Sequence, residues 1–307
     1  MLTLYDELEA HKRHKDSSAR VFGLVIQGGG MRGAYSAAAI VPLIAYGFSD
    51  TFDHVIGSSA GAINGAYFVS AKDETLRHTY ADDLANKKFI NLLRRDKRVD
   101  IDFLVDGVLK HERALDINAL NAAHAKLHIV MTDAKTSKEV VLSDHGKFLE
   151  IYEELRATAA LPILYDKEVR VNDRLYIDGG VSDLLPIDVA IKLGCTDIVV
   201  IMTQQIRRYS FVKRHERLVN HLVKYFAKDK PVRIRKKLPT DEHKLQRNLR
   251  KLSHPTKNLR FYVLEPSDEE FLVSLATSDR DKVESLAKLG VSDMDKFLHE
   301  PLETRPR

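Results

Sequence analysis

Short apolar runs alternate with longer amphipathic stretches along most of this chain. Val21-Phe22-Gly23-Leu24-Val25-Ile26 is apolar without alternation, the pattern of a strand covered on both faces. Val55-Ile56, His128-Ile129-Val130-Met131, Val140-Val141-Leu142, Ile198-Val199-Val200-Ile201 and Leu259 to Leu264 read as further strands. Two hairpins follow from the spacing: one across Thr132 to Glu139, the other joining Glu168–Val171 to Leu175–Ile177 through Asn172-Asp173. Helical periodicity occupies Leu2 to His14, the alanine-rich stretch Ala34 to Tyr46, and the residues from Ala62 onward. Asp82 to Leu120 is charged and helical in pattern, and is the expected cover over any site the sheet carries. This alternation predicts an α/β layered fold with a largely parallel central sheet flanked by helices.

Beyond Thr203 the pattern becomes mostly helical. Ser267-Asp268-Glu269-Glu270 has the form of a capping box and predicts a helix start. Asp279 to Leu289 predicts a second helix closed by Gly290 as its C-cap, and Ser292 to Leu298 a third. The expected organisation is an N-terminal extension over 1–20, a central domain over 21–203, and a basic then acidic helical C-terminal appendage over 204–307.

Three short motifs carry candidate chemistry. Gly57-Ser58-Ser59-Ala60-Gly61 fits G-x-S-x-G between a strand and a helix, the setting of a nucleophile elbow with Ser59 at its apex. Small residues at Gly57 and Gly61 let strand and helix backbones approach closely. Gly28-Gly29-Gly30-Met31-Arg32-Gly33 lies between the first strand and the alanine-rich helix. Its N–H groups would point outward at a helix N-terminus, suited to a phosphate or an oxyanion. The same six residues satisfy G-x-G-x-x-G, and Asp53 has about the spacing a dinucleotide-binding unit requires, but it precedes its strand instead of ending it. Asp178-Gly179-Gly180 closes the second hairpin, where an aspartate followed by two glycines can approach another loop.

Together these motifs resemble those of the patatin-like phospholipases. Ala157-Thr158-Ala159-Ala160-Leu161-Pro162 supplies one more block, third in the family's order and ahead of Asp178-Gly179-Gly180, with Thr158 in place of the usual serine. The resemblance covers about Val21 to Ile191. It implies a serine–aspartate dyad without a catalytic histidine: Ser59 as nucleophile, Asp178 as base, and an oxyanion loop of Gly28, Gly29, Gly30, Arg32 and Gly33. Arg32 would steady that loop or meet a phosphate headgroup. A fatty-acyl ester or phospholipid would be the substrate, with no cofactor and no metal. Two alternatives stand beside this reading. One is a Ser-Asp-His esterase drawing on His215, His221, His243, His254 or His299, all in charged, helical-looking sequence. The other is a non-catalytic lipid- or acyl-binding protein that retains the fold.

Charge adds one more expectation. Residues 207–260 hold 18 Lys or Arg against 4 Asp or Glu, a net of +14 in a chain whose total is +4. Val219, Leu222, Val223 and Phe226 share a helical face within this stretch, so peripheral contact with an anionic membrane surface is expected there. No groove-reading motif accompanies the charge, and nucleic acid is not expected. Cys195 is the single cysteine and excludes an internal disulfide; beside an apolar strand it reads as a buried structural thiol. With a charged, signal-free Met1–Arg20, this points to the cytoplasm.

Overall fold

The computed structural model describes residues 2–14, 19–71, 76, 78–143, 145, 150–211, 236, 241–256 and 258–302. Eight strands among them form one sheet: β1 (Phe22–Ile26), β2 (His54–Ser58), β3 (Lys126–Asp133), β4 (Glu139–Leu142), β5 (Val169–Val171), β6 (Arg174–Asp178), β7 (Asp197–Ile201) and β8 (Arg260–Leu264). Their order is β5-β6-β3-β2-β1-β7-β8, with β4 also paired to β3. The five strands from β3 to β8 run parallel, whereas β4 and β6 are antiparallel to β3. The largely parallel sheet expected from the unbroken apolar runs is therefore present, and β1 and β7 are buried at every position.

Side-chain alternation along the strands builds two cores. Phe22, Leu24 and Ile26 join Val199 and Ile201 on one face, under α2 (Gly33–Ala45) and α3 (Ala60–Val69). Val25, Ile56, Ile198 and Val200 point to the other face and pack with Ile187, Val189, Leu245 and Leu249 from two further helices, Ile187–Lys192 and Glu242–Ser253. The result is a three-layer arrangement of helix, sheet and helix. A short helix α1 (Leu4–His14) precedes it. None of the described helices is long and apolar enough to cross a membrane.

Residues beyond 203 contribute to this core. β8 extends the sheet edge, as its apolar run predicts, and a helix over Arg280–His299 packs on α2. Here two expectations fail. Gly290 does not end a helix, because Arg280–His299 is one continuous helix of 20 residues. A Cβ at Gly290 would lie 2.4 Å from the Tyr35 carbonyl oxygen of α2, so glycine serves the close crossing of two helices. The capping box at Ser267 starts no helix either. The Ser267 hydroxyl and N–H both donate to Asp293, at 2.7 and 2.9 Å, and Tyr35 donates to the same carboxylate at 2.9 Å. A buried tertiary acceptor has displaced the local cap. The basic amphipathic face at Val219, Leu222, Val223 and Phe226 lies outside the described residues.

Gly290→Ala is expected to destabilise the protein by roughly 1–3 kcal/mol, the usual cost of overpacking a tight contact. Chemical denaturation of wild type and variant measures this. An unchanged midpoint would mean that the helix–helix crossing gives way freely.

Candidate functional site

The three motifs converge at the carboxyl ends of the parallel strands, where open α/β sheets present their loops. The glycine loop follows β1, Ser59 follows β2, and Asp178 ends β6. Ser59 has φ 55 and ψ −128, a conformation that costs free energy for a residue with a Cβ. It persists because its surroundings leave no alternative. At Gly61 a Cβ would lie 2.2 Å from the Ile26 carbonyl oxygen, so the turn into α3 passes directly against the end of β1. The side chain of Ser58 is fully buried, whereas Ser59 faces a cavity.

The Ser59 hydroxyl donates to Asp178 Oδ2 at 2.7 Å. The Gly180 N–H donates to Asp178 Oδ1, also at 2.7 Å. Burial pushes the Asp178 carboxyl up to about 7, against the opposing effect of these two donors. Ser59 N–H donates to Thr158 Oγ1 at 2.9 Å, and Thr158 Oγ1 donates to the Val130 carbonyl at 2.5 Å. The hydroxyl at position 158 thus ties the serine turn to β3, a role that the motif block in the sequence flagged without explaining.

The glycine loop is held from several directions. Gly28 N–H donates to Leu184 O at 3.3 Å, and Met31 N–H to Leu275 O at 3.0 Å. Thr203 Oγ1 donates to Gly28 O at 2.9 Å; Thr203 N–H donates to Gln27 Oε1, whose amide N–H reaches Tyr209. Gly30 has φ 56, a left-handed conformation that suits glycine. Gly33 N–H closes the turn onto Gly30 O and Met31 O, and Arg32 Nε reaches back to Gly29 O at 3.3 Å. The N–H groups of Gly29 and Gly30 have no hydrogen-bond partner among the described residues. Of the five loop residues singled out, then, Gly28 and Gly33 have committed N–H groups, while those of Gly29 and Gly30, both on the cavity wall, are uncommitted among the described residues. Gln27, Thr203, Tyr209, Leu184 and Leu275 carry no sequence signal, since their contacts join segments far apart in the chain.

Ser59, Asp178, Gly29, Gly30 and Arg32 share a cavity of about 980 Å³. Much of its remaining wall is apolar and includes Leu84, Phe89, Ile90, Leu104, Leu109 and Ile163. The segment expected to cover the site does so, wound partly as π-helix over Thr79–Leu84 and Phe103–Glu112. Among the described residues no histidine lines the cavity, and His243, His254 and His299 are exposed. His215 and His221 lie outside the described residues. Asp53 accepts from Phe22 N–H at 2.7 Å at the opposite end of the sheet from the glycine loop, which removes the dinucleotide arrangement. Cys195 is buried, and burial pushes its thiol up to about 12.

Part of the chain is similar to known proteins. Residues 24–191 match the family model described as Patatin-like phospholipase. The chain is 26% identical over 203 residues to the uncharacterized protein YjjU of Escherichia coli K12, covering 63% of this chain and 56% of that protein. It is 29% identical over 191 residues to the probable lipid hydrolase 463L of Invertebrate iridescent virus 6, covering 55% of this chain and 63% of that protein. These matches span about three-fifths of each relative's length. The crystal structure of VipD from Legionella pneumophila aligns with a TM-score of 0.48 at 16% identity, over 92% of this chain and 67% of that one.

Burial of Asp178 has a consequence for stability. Its carboxyl titrates near 7 in the folded chain against 3.8 in the ordinary state, so the folded form holds its proton more tightly. Stability from this group is full below about pH 4 and is lost as pH rises toward 7. Asp178→Asn removes that loss. The variant is expected to gain on wild type progressively from pH 4 to 7, by up to about 4 kcal/mol above pH 7. Thermal or denaturant unfolding across this range measures the gap; a gap independent of pH would contradict the raised carboxyl.

Proposed function

This chain belongs to the patatin-like phospholipase family, and from that premise we propose that it is a serine acyl hydrolase acting on fatty-acyl esters through Ser59 and Asp178. The observation that carries the reading is the buried 2.7 Å hydrogen bond from Ser59 Oγ to Asp178 Oδ2 beside two unengaged backbone donors. Ser59 Oγ attacks the ester carbonyl carbon as its proton passes to Asp178. The negative charge that develops on the carbonyl oxygen is met by the N–H groups of Gly29 and Gly30 and by the positive end of α3. Collapse expels the alcohol, which takes the proton from Asp178, and leaves an acyl chain on Ser59. Asp178 then accepts a proton from water, hydroxide adds to the acyl carbon, and Ser59 leaves with that proton. A carboxylate near 7 is a much better base than an ordinary aspartate, and here burial supplies the difference.

The apolar wall of the cavity supports a lipid acyl chain as the group transferred. Arg32, on the same cavity and turned toward the loop carbonyl of Gly29, is assigned to steadying the loop.

Treatment of the purified protein with a fluorophosphonate, followed by mass mapping, is expected to label Ser59. Ser59→Ala should remove the adduct, and Asp178→Asn should slow its formation about 10²–10⁴-fold, the usual worth of a positioned base. Absence of labelling in folded wild type would overturn the hydrolase and favour a protein that only binds acyl groups. Turnover of a water-soluble ester should fall about tenfold per unit as pH drops below about 7, where Asp178 is protonated. A rate that holds level down to pH 5 would exclude Asp178 as the base.

A further inference from the structure

The rim of the cavity carries a feature the reaction does not use. Phe89 and Ile90 are buried and line the cavity, Leu92 lines it while 55% exposed, and Leu93 is 94% exposed. Four residues thus take an apolar path from the interior out to solvent. The loop that presents them is ordered by its own hydrogen bonds. Asn91 N–H donates to Arg98 O at 2.7 Å, Asn91 Oδ1 accepts from Leu93 N–H at 3.1 Å, and Arg94 reaches Lys87 O at 3.0 Å. Phe89 O and Leu164 O accept from Asp100 and Val99, pinning the base of the loop. Leu93 is therefore held out in water by a built turn.

Charge within the loop's own sequence is one-sided. Residues 87–98 contain Lys87, Lys88, Arg94, Arg95, Lys97 and Arg98 against the single acid Asp96. Arg94 and Lys97 pair with Asp100 and Asp102, and Arg98 donates to Ile163 O. Lys87, Lys88 and Arg95 are exposed and make no ion pair among the described residues.

We propose that the 87–98 loop is a membrane-docking element that inserts Leu93 and Leu92 into an anionic phospholipid surface, with Lys87, Lys88 and Arg95 on the headgroups. Charge complementarity fixes the occupant: protruding leucines within a basic collar match the interfacial region of an anionic bilayer. Continuity with the cavity gives the element a purpose. An acyl chain drawn from the bilayer would pass Leu92 and then Ile90 and Phe89 without crossing water. This deepens the proposed function and rests on it for the path of the chain, but docking itself is independent of Ser59.

The test is sedimentation of the full chain with vesicles of phosphatidylcholine alone and of phosphatidylcholine mixed with phosphatidylglycerol. Wild type and Ser59→Ala should bind the mixed vesicles equally, and neither should bind the neutral ones comparably. Leu93→Ser should weaken binding roughly tenfold or more, the worth of one leucine leaving water. Lys87→Gln/Lys88→Gln/Arg95→Gln should weaken it on the order of a hundredfold, with loss of the salt dependence. Leu93 does not line the cavity, so both variants should turn over a water-soluble short-chain ester as wild type does. The chain has no tryptophan, so Leu93→Trp supplies a lone reporter whose emission should shift to the blue on mixed vesicles. Equal binding by wild type and both loop variants, or no shift from Leu93→Trp on vesicles that bind it, would overturn the proposal. So would light scattering showing that wild type self-associates through Leu93. Loss of ester turnover in wild type with docking intact would instead sink the hydrolase reading alone.

Discussion

One peptide carbonyl, that of Val130 in β3, is the reference point from which the site is built. Ser58 pairs with Val130 in the β2–β3 register, which sets how far β2 extends before Ser59 turns away. The same carbonyl accepts from Thr158, whose hydroxyl accepts from Ser59 N–H. On the other side of β3, Asp178 pairs with Met131, and a Cβ at Gly179 would lie only 2.0 Å from Val130 O. Serine and aspartate, 119 residues apart, are thus each located against one strand, and their 2.7 Å hydrogen bond follows from backbone packing. The one side chain that intervenes, Thr158, is β-branched and fully buried, which limits its freedom. Hence the turn residues are small, and a single added methyl group at 179 would separate the pair.

That precision is costly, and the rest of the fold offsets it. Ser59 sits in a conformation that costs on the order of 1–3 kcal/mol, Ser58 Oγ is buried without a hydrogen-bond partner among the described residues, and Asp178 is buried where ionisation is disfavoured. Large cores on both faces of the sheet support this strained end. The opposite end is arranged differently. There Arg20 and Arg260 converge on buried Asp197 at 2.7 Å each, so its charge is compensated. Charge is paired at the foot of the sheet, whereas at its head the Asp178 carboxyl meets only the Ser59 and Gly180 donors, the environment that the proposed reaction asks of a base.

Much of this was legible in the sequence because the signals are local. Unbroken apolar runs mark strands covered on both faces, and glycine spacing marks where backbones meet; β1, β7 and β8, the elbow and Asp178 all fall where those patterns place them. Elements whose form depends on a distant partner were not legible. Gly290 reads as a C-cap because glycine commonly ends helices, yet here it admits the Tyr35 carbonyl of α2. Ser267 reads as an N-cap, yet its hydroxyl goes to Asp293, 26 residues on. Of the glycine loop, sequence alone could not divide Gly28 from Gly29 and Gly30, because the acceptor that occupies Gly28 N–H is Leu184 O. The C-terminal region hides its contribution for the same reason: Leu275 lends only a backbone oxygen to the loop, and any residue type could do so.

Desolvation links the dyad to the shape of the cavity. Asp178 is raised to about 7 because protein atoms, not water, surround it, and the same apolar wall runs on toward Ile90 and Leu92. Under the proposed reaction, a small polar ester would leave this apolar wall uncovered. A long acyl chain fills the wall and keeps the pair dry. Under the proposed reaction, selection for an apolar acyl group therefore needs no dedicated contact at the ester. It follows from the base itself, which is strongest when the substrate completes the exclusion of water that burial began.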